Sequence, residues 1–407
     1  MEQAHAAPLR LPEQLILSLL NRHGPLSRPA LTEITGLPRT TVVATVVGLR
    51  EKGYVADGQE PADARRAGRP AGQVHITPPA TSVALIEMAR TGTVLSLAAR
   101  DGEVLGRVPI SATRFQTVAE FGSHVRGGLA TIASQIPTDQ LVLSLPAPFV
   151  PGVGVRYVRR VPVELSDKFP QFEPSSDWLR GDPTEALAAE MKLPVVAEND
   201  SNLAAFGEAR FGASRGRKSS IFVSLVHGVG AGIVIDDSPY RGAFGVAGEL
   251  AHVSIDPGGR LCACGNRGCL ITAFASGPLL VEQVAEAYQH PLTIQDVIAL
   301  AAAGDIGVVR ILEEYGRTIG DSLAGFVAVF DPGMVVVDGA LREAGQAVRD
   351  GVQDAIRRRT QPMIGESLAV EVGQLERDSQ LLGAVALANR RALLSVLGPY
   401  ASSLLPH

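Results

Sequence analysis

The sequence predicts an α/β protein made of a small helical domain followed by a larger body in which strands and helices alternate. The chain has 407 residues, which is too long for one ordinary hydrophobic core. Helical spacing of apolar residues dominates residues 1–79, whereas short apolar runs of strand length alternate with amphipathic stretches from residue 80 onward. Hydrophobic residues make up 46% of the chain and charged residues 19%, so each part can bury a core.

Residues 1–79 contain three helical segments in quick succession. Leu9 to Arg22 carries leucines at helical spacing, and Ser27 is suited to cap a second, short helix that ends at Gly36. A third helix begins at Pro38, where proline suits the first turn. A first helix followed by two helices around a tight glycine-containing turn is typical of a helix-turn-helix, which reads DNA.

Two short strands, at residues 54–55 and 73–76, flank a basic loop and complete a wing. The net charge of the whole chain is −5, but residues 1–79 hold nine Lys and Arg against seven Asp and Glu, so DNA contacts must be local. The loop arginines alone would equally suit a solvated surface; the three preceding helices favour a minor-groove contact. The predicted DNA-binding residues are Arg39, Thr40 and Thr41 at the start of the third helix and Arg65, Arg66 and Arg69 in the wing.

All three cysteines of the chain lie within eight residues of one another, ten residues after a histidine. Three thiolates and an imidazole are the ligand set that tetrahedral zinc favours in structural sites, and the surrounding glycines let a short segment fold back on itself. Alternatively, the three reduced cysteines pack as small hydrophobic side chains. A disulfide framework is disfavoured because the number of cysteines is odd. The predicted ligands of one structural zinc ion per chain are His252, Cys262, Cys264 and Cys269.

The motif Gly-Glu-Leu-Ala-His at Gly248 to His252, followed by Cys-Ala-Cys-Gly-Asn-Arg-Gly-Cys at Cys262 to Cys269, resembles the signature of the ROK family. This family contains bacterial sugar kinases and sugar-responsive repressors, and the resemblance extends over essentially the whole chain. It implies a two-lobed, actin-like ATPase fold of the sugar-kinase type behind the winged helix-turn-helix domain. The predicted domains are residues 1–79, a first lobe of residues 80–196 completed by a C-terminal helix at about 380–407, and a second lobe of residues 197–379 with the zinc knuckle.

The resemblance also implies a sugar site. In the kinases, the aspartate of a Glu-Asn-Asp motif deprotonates the sugar hydroxyl and the asparagine holds another hydroxyl; these positions are Asp200 and Asn199 here. Glu249 and His252 complete the set of predicted ligands for a sugar or sugar derivative. The alternative is that Asn199 and Asp200 cap the following helix, and both roles are compatible. Without a phosphoryl donor, Asp200 is better described as an acceptor of hydroxyl hydrogen bonds than as a catalyst.

Two departures from the family pattern bear on activity. The kinases wrap the ATP phosphates with an Asp-x-Gly-Gly-Thr loop, but the aligned residues here are Glu87, Met88, Ala89, Arg90 and Thr91, so side chains replace both glycines. We therefore predict no ATP binding and no enzymatic activity. The second departure is apolar Ile271, which stands where the family places a glutamate that binds sugar. The glycines of residues 228–232 resemble a second phosphate loop, but a plain tight hairpin would explain them equally well.

The sequence thus predicts a cytoplasmic transcriptional regulator that binds a double-stranded DNA operator. The resemblance to the ROK family implies that it is a repressor, that a sugar releases it from DNA, and that it is a homodimer or homotetramer. No apolar run is long enough to span a bilayer, so we predict no membrane association, and the reduced cysteines favour the cytoplasm. One alternative is an active sugar kinase that carries a DNA-binding extension. The other is a regulator that responds to a non-sugar ligand, a sugar phosphate or a partner protein, which Ile271 motivates.

Overall fold

The computed structural model describes residues 9–58, 72–89, 92–110, 117–155, 177–179, 181–225, 228–273, 277–339 and 344–397. The chain divides into two compact units, Met1–Ala80 with Leu387–His407, and Thr81–Ala386. Each unit has its own buried apolar core. Across these ranges, no helix is long and apolar enough to cross a membrane.

The first unit combines three helices with a three-stranded antiparallel sheet. Its elements are α1 (Leu11–His23), β1 (Leu26–Ser27), α2 (Arg28–Thr35), α3 (Arg39–Glu51), β2 (Val55–Gly58) and β3 (Gln73–Ile76). Strand β3 lies in the centre of the sheet and pairs with both β1 and β2. Ile16, Leu31 and Leu49 from the three helices and Val74 from the sheet are fully buried together. This order of elements confirms the predicted winged helix-turn-helix.

The residues predicted to cap the two ends of α2 form the expected hydrogen bonds. The Ser27 hydroxyl accepts a hydrogen bond from the Ala30 backbone N–H at 3.3 Å, which satisfies a donor that the first turn of a helix leaves free. Gly36 ends the helix in the left-handed region, with φ of 67°, and its N–H donates to the Thr32 carbonyl at 3.0 Å. The turn into α3 is therefore fixed by local contacts.

The second unit contains two five-stranded mixed sheets with the same topology. In each sheet the first three strands in chain order form an antiparallel meander, and the next two add in parallel beside the first, giving the spatial order 3-2-1-4-5. The first sheet consists of β4 (Ser82–Ala89), β5 (Gly92–Ala99), β6 (Val104–Ile110), β7 (Thr138–Leu145) and β10 (Val195–Asn199). The second consists of β11 (Ser219–Ser224), β12 (Gly230–Ile235), β13 (Ser238–Pro239), β14 (Met334–Asp338) and β15 (Ala369–Val372).

Helices pack against these sheets, and the apolar residues that they bury form one cluster with the first sheet and another with the second. The elements associated with the first sheet are α4 (Val118–Ile132), the hairpin β8 (Phe149–Val150) and β9 (Gly154–Val155), α5 (Pro183–Met191) and α6 (Asp200–Phe211). Those that follow are α7 (Leu270–Ala273), α8 (Gly277–Tyr288), α9 (Ile294–Ala302), α10 (Ile306–Phe330), α11 (Gly345–Arg359) and α12 (Pro362–Ser367). The duplicated sheet with helices around each copy is the two-lobed actin-like fold that the resemblance implied.

The last helix, α13 (Ser379–Leu397), contributes to both units. From Leu387 onward its residues belong to the first unit, where Leu397 is fully buried in the core beside the helix-turn-helix residues. The sequence analysis instead assigned residues 380–407 to the first lobe. The amphipathic pattern of the helix shows that one face is buried but not which core buries it, and this explains the difference.

Candidate functional site

The four predicted metal ligands converge. One ligand atom from each of His252, Cys262, Cys264 and Cys269 lies within 4.8 Å of all the others. The Cys262 Sγ and His252 Nδ1 atoms are 3.5 Å apart, as are the Cys264 and Cys269 sulfurs. The edges of a tetrahedron of thiolates about 2.3 Å from zinc are about 3.8 Å long, so this spacing fits the ion.

Backbone pairing shapes the segment that brings these ligands together. Antiparallel bridges join Ser254 to Cys269 and Leu261 to Arg267, so the chain folds back on itself between His252 and Cys269. Gly268 has φ of 58°, and a β-carbon there would lie 1.6 Å from the Asp256 carbonyl oxygen. Only glycine permits that approach. At this position, glycine lets the segment fold back on itself, as predicted.

Without a cation, the Cys269 thiol and the His252 imidazole are both uncharged. Burial, together with the neighbouring thiols of Cys262 and Cys264, raises the pKa of Cys269 to about 12. Burial likewise lowers the pKa of His252, so the imidazole is neutral and able to act as a ligand. Crowded thiols that resist ionisation become thiolates when a divalent ion compensates their charge. The donor set therefore fits the predicted zinc, which would hold the fold of this segment.

The structure places Asn199 and Asp200 where β10 passes into α6, at the same sheet edge as the segment that follows β7, since Asn199 pairs with Leu145. The Asn199 side-chain oxygen accepts hydrogen bonds from the backbone N–H groups of Ser201 and Asn202 at 3.0 and 3.1 Å. Asn199 is thus the N-cap of α6, as one alternative predicted. Its capping oxygen is occupied, whereas the two hydrogen bonds that Ser201 donates to Asp200 both fall on one carboxylate oxygen.

Glycines bring the second predicted segment of the sugar site next to this turn. A β-carbon on Gly232 of strand β12 would lie 2.3 Å from the Ser201 carbonyl oxygen, so the start of α6 rests directly on that strand. A β-carbon on Gly248 would lie 2.2 Å from the Ala231 carbonyl oxygen, and this contact holds the chain before Glu249 against the same strand. The two carboxylate-bearing turns are therefore neighbours on β12.

The carboxylates of Asp200 and Glu249 are close enough for the charge of one to shift the pKa of the other. Burial, and next the charge of Asp200, raises the pKa of Glu249 to about 7. Burial also raises the pKa of Asp200, against the hydrogen bonds that Ser201 and Asn199 provide. The His252 Nε2 atom lies 3.8 Å from Glu249 Oε2, so the predicted zinc ligand is a neighbour of this carboxylate. Asp200, Glu249 and His252 thus lie near one another, and a group of hydrogen-bond acceptors and donors of this kind suits a polyhydroxylated ligand.

The remaining motifs of the predicted sugar and nucleotide sites take plainer roles. Gly230 and Gly232 lie within β12, which forms an antiparallel hairpin with β11, so the hairpin reading of the glycine run applies. Ile271 packs against the apolar core of the second unit, and its Cδ1 atom would lie 3.1 Å from a β-carbon on Gly228. Its apolar side chain is thereby accommodated.

The segment aligned with the ATP-binding loop continues a strand. Residues of β4 pair with β5 in unbroken antiparallel register up to Ala89, which faces Gly92. The two residues that connect these strands, Arg90 and Thr91, lie outside the described residues. Glu87 points into a local network, because Ser96 Oγ donates to its carboxylate at 3.0 Å and Arg107 Nε donates to Ser96 Oγ at 2.8 Å. Burial raises the pKa of Glu87.

On the first unit, the start of α3 presents Arg39 and Thr40 exposed and Thr41 half-buried, which suits a surface that contacts DNA. The same face also exposes Val43 and Ala44, which the sequence analysis did not select. Apolar side chains there suit the methyl group of thymine. Their exposure was predictable from the sequence, because Val43 and Ala44 do not fall at the helical spacing of the buried residues of α3. The wing arginines Arg65, Arg66 and Arg69 lie outside the described residues.

These features define a class of protein: a duplicated actin-like fold of the sugar-kinase type joined to a winged helix-turn-helix. The sequence model of the ROK family matches residues 164–391, more than half of the chain, and the chain therefore belongs to the ROK family. The model of the MarR family matches residues 9–66, which include the three helices of the first unit.

Individual relatives are similar over different extents. The xylose repressor of Bacillus subtilis (strain 168) is 28% identical over 380 residues, covering 91% of this chain and 93% of that protein. A glucokinase of Streptomyces coelicolor is 34% identical over 204 residues, 46% of this chain and 64% of that protein. The crystal structure of a ROK family transcriptional regulator, a homologue of the Escherichia coli MLC protein, superposes with a TM-score of 0.72 at 24% identity and covers 95% and 97% of the two chains. This last likeness supports the fold.

Proposed function

We propose that the protein is a sugar-responsive transcriptional repressor of carbohydrate metabolism that binds double-stranded DNA and has no kinase activity. The observation that carries this proposal is the union, in one chain, of a winged helix-turn-helix whose α3 begins with exposed residues and a ROK body in which Asp200, Glu249 and His252 lie near one another. The likeness to the xylose repressor over 91% of the chain supports the same combination. A regulator of this kind works in the cytoplasm, where its operator lies.

In the proposed mechanism, a sugar or sugar derivative donates hydroxyl hydrogen bonds to Asp200 and Glu249 and changes the closure of the two lobes. This shifts the population of conformations and so the spacing of paired recognition helices in a homodimer or homotetramer. Arg39, Thr40 and Thr41 meet base edges and phosphates in the major groove, while Arg65, Arg66 and Arg69 reach the minor groove. One zinc ion per chain, held by His252 and the three cysteines, keeps the pocket in shape.

The test is selection of bound duplexes from a random DNA pool, repeated with D-xylose, D-glucose or N-acetyl-D-glucosamine. We expect one enriched sequence with two related half-sites, because symmetric oligomers read symmetric operators. One of the sugars is expected to reduce the enrichment. Recovery of no sequence above the starting pool would refute the proposal.

A sugar kinase with a DNA-binding extension is the second candidate, and the retained Asp200 and the similarity to a glucokinase favour it. The strand pairing of β4 up to Ala89 opposes it, since bare backbone that wraps phosphates needs an open glycine loop. Incubation with ATP and several hexoses separates the two, because only a kinase converts ATP to ADP in a sugar-dependent way. A pocket that prefers sugar phosphates or another ligand, as Ile271 suggests, would appear in thermal-shift screening of sugars with and without phosphate.

A further inference from the structure

Glu198 is a buried carboxylate whose hydrogen-bonding capacity is fully used. The residue is 2% exposed. Its Oε1 atom accepts the Asn199 backbone N–H and the Asn202 side-chain amide, each at 3.0 Å. Its Oε2 atom accepts two donors of the Arg241 guanidinium, from Nε at 2.7 Å and from Nη2. Half of the support of a buried charge next to the proposed sugar ligands thus comes from one arginine that lies 43 residues away in the sequence.

Arg241 also begins the loop that leads to the other proposed ligands. Its carbonyl oxygen accepts the Ala247 N–H at 3.1 Å, which closes the loop immediately before Gly248 and Glu249. Within this loop, a β-carbon on Gly245 would lie 2.4 Å from the Val150 side chain in the hairpin that follows β7. One residue therefore connects the Asn199 and Asp200 turn through its side chain and the Glu249 segment through its backbone.

We infer that Arg241 is a positioning residue for the effector site, acting through Glu198; this inference rests on the proposed sugar-binding function. The Arg241 guanidinium is committed to Glu198 and to the Pro239 carbonyl at 3.5 Å, so its task is to hold protein groups in place. Without it, Glu198 keeps two donors for a carboxylate that can accept about four. The carboxylate must then turn towards water, and the Asn199 N–H loses a fixed acceptor.

A matched control is available at the opposite end of the first sheet. Arg100 is 5% exposed and binds the Asp139 carboxylate at 2.8 Å and the Thr81 hydroxyl at 2.9 Å. Thr81 precedes β4 and Asp139 is the second residue of β7, whereas the proposed site lies where β7 and β10 end. Arg100→Ala therefore removes a buried arginine of the same unit without touching the proposed site.

The first measurement is hydrogen exchange of the ligand-free full-length protein in the parent, Arg241→Ala, Arg241→Lys and Arg100→Ala forms. In Arg241→Ala we expect exchange about tenfold faster in peptides that cover residues 198–203 and 246–250, because Glu198 loses its side-chain anchor and the Arg241 backbone that closes the second loop is no longer held by its own side chain. Arg100→Ala should leave those peptides unchanged. If Arg241→Ala exchanges like the parent in both segments, or only as part of a uniform increase, the inference is wrong.

The second measurement is the dissociation constant for D-xylose and D-glucose by calorimetry. Arg241→Ala should bind whichever sugar the parent binds about 10- to 100-fold more weakly, the loss typical of removing an outer support of a binding site. Arg241→Lys keeps one charged donor and should recover part of the loss, and it carries the test if the alanine variant does not fold. Arg100→Ala should lower the melting temperature and leave the dissociation constant within about twofold of the parent value.

The two measurements separate failure of this inference from failure of the proposed function. Equal sugar affinity in the parent and Arg241→Ala, with faster local exchange, would make Arg241 merely structural and overturn the inference. If the parent binds neither sugar, sugar-responsiveness to these two ligands fails on its own. In that case the exchange pattern alone decides whether Arg241 anchors both segments.

Discussion

Replacing Asp200 by asparagine separates the stability of the pocket from its affinity for a ligand. The Asp200 carboxylate receives the Ser201 backbone N–H at 2.6 Å and the Ser201 hydroxyl at 3.2 Å, both on the same oxygen. Asparagine has nearly the same shape, and its carbonyl oxygen can keep those donors. The substitution therefore removes a charge with little change in packing.

The ligand-free variant should be more stable than the parent at neutral pH. Burial raises the pKa of Asp200, which means that the folded state holds the charged form at a disadvantage. Below the ordinary value of 3.8 the carboxyl is protonated in folded and unfolded chains alike, so the penalty is absent there, and it grows as the pH rises through the raised pKa. Relief of roughly 1 kcal/mol would raise the melting temperature by about 2 °C.

The same substitution should weaken effector binding. A hydroxyl donating to a charged acceptor is worth about 1.5–3 kcal/mol, and about 1.4 kcal/mol corresponds to a factor of ten in the dissociation constant. For each hydroxyl that Asp200 receives, the Asn variant should bind about 10- to 150-fold more weakly. The two effects have opposite signs, which general damage to the fold cannot produce.

Differential scanning fluorimetry between pH 4 and pH 8, with and without the sugar identified by calorimetry, measures both quantities on one sample. We expect the variant to melt higher than the parent without sugar, by a margin that grows with pH, and to show a smaller shift on adding sugar. A variant that melts lower at pH 8 and keeps the full shift would refute this account of Asp200.

Four further outcomes are expected. Cys269→Ser should reduce zinc from one per chain, measured by mass spectrometry of metals, and remove the sugar-induced thermal shift, whereas unchanged zinc would contradict the assigned ligand set. Leu31→Ala, at a fully buried position, should destabilise the first unit by about 2–5 kcal/mol and abolish operator binding while calorimetry shows normal sugar affinity. Arg39→Ala should weaken operator binding and change its dependence on salt concentration, and equal affinity at all salt concentrations would exclude a DNA contact. Glu87→Gln should melt higher than the parent above about pH 5 and equally near pH 4, because burial raises the pKa of Glu87; equal melting at pH 8 would contradict that assignment.

Local chemistry in the sequence predicted local structure well. Ser27 and Gly36 delimit α2 as expected, because a cap and a left-handed glycine act on the neighbouring backbone alone. The cysteine and histidine cluster was equally accessible, since three of its ligands lie within one short segment. The resemblance to the ROK family then supplied the two-lobed fold, which spacing and composition could not.

Contacts between distant segments were not accessible to the same reasoning. The partnership of Glu198 with Arg241 depends on how β10 and the loop after β13 meet, and neither residue carries a local signal of it. The burial of Leu397 in the first unit was not predictable either, because an apolar helix face shows that it is buried but not which core buries it. The repeated 3-2-1-4-5 topology could not be predicted from the sequence, because the two sheets have the same connectivity but no repeated sequence.

In the proposed function, a kinase-like sugar domain that does not bind nucleotide controls a domain that binds duplex DNA. The most direct test is fluorescence anisotropy of the selected operator with the full-length, zinc-loaded protein, titrated in parallel with the identified sugar and with ATP. We predict that the sugar weakens operator binding by about tenfold or more, a typical coupling between two sites, and that ATP changes nothing and is not consumed. Operator affinity indifferent to every sugar, or sugar-dependent formation of ADP, would contradict the account.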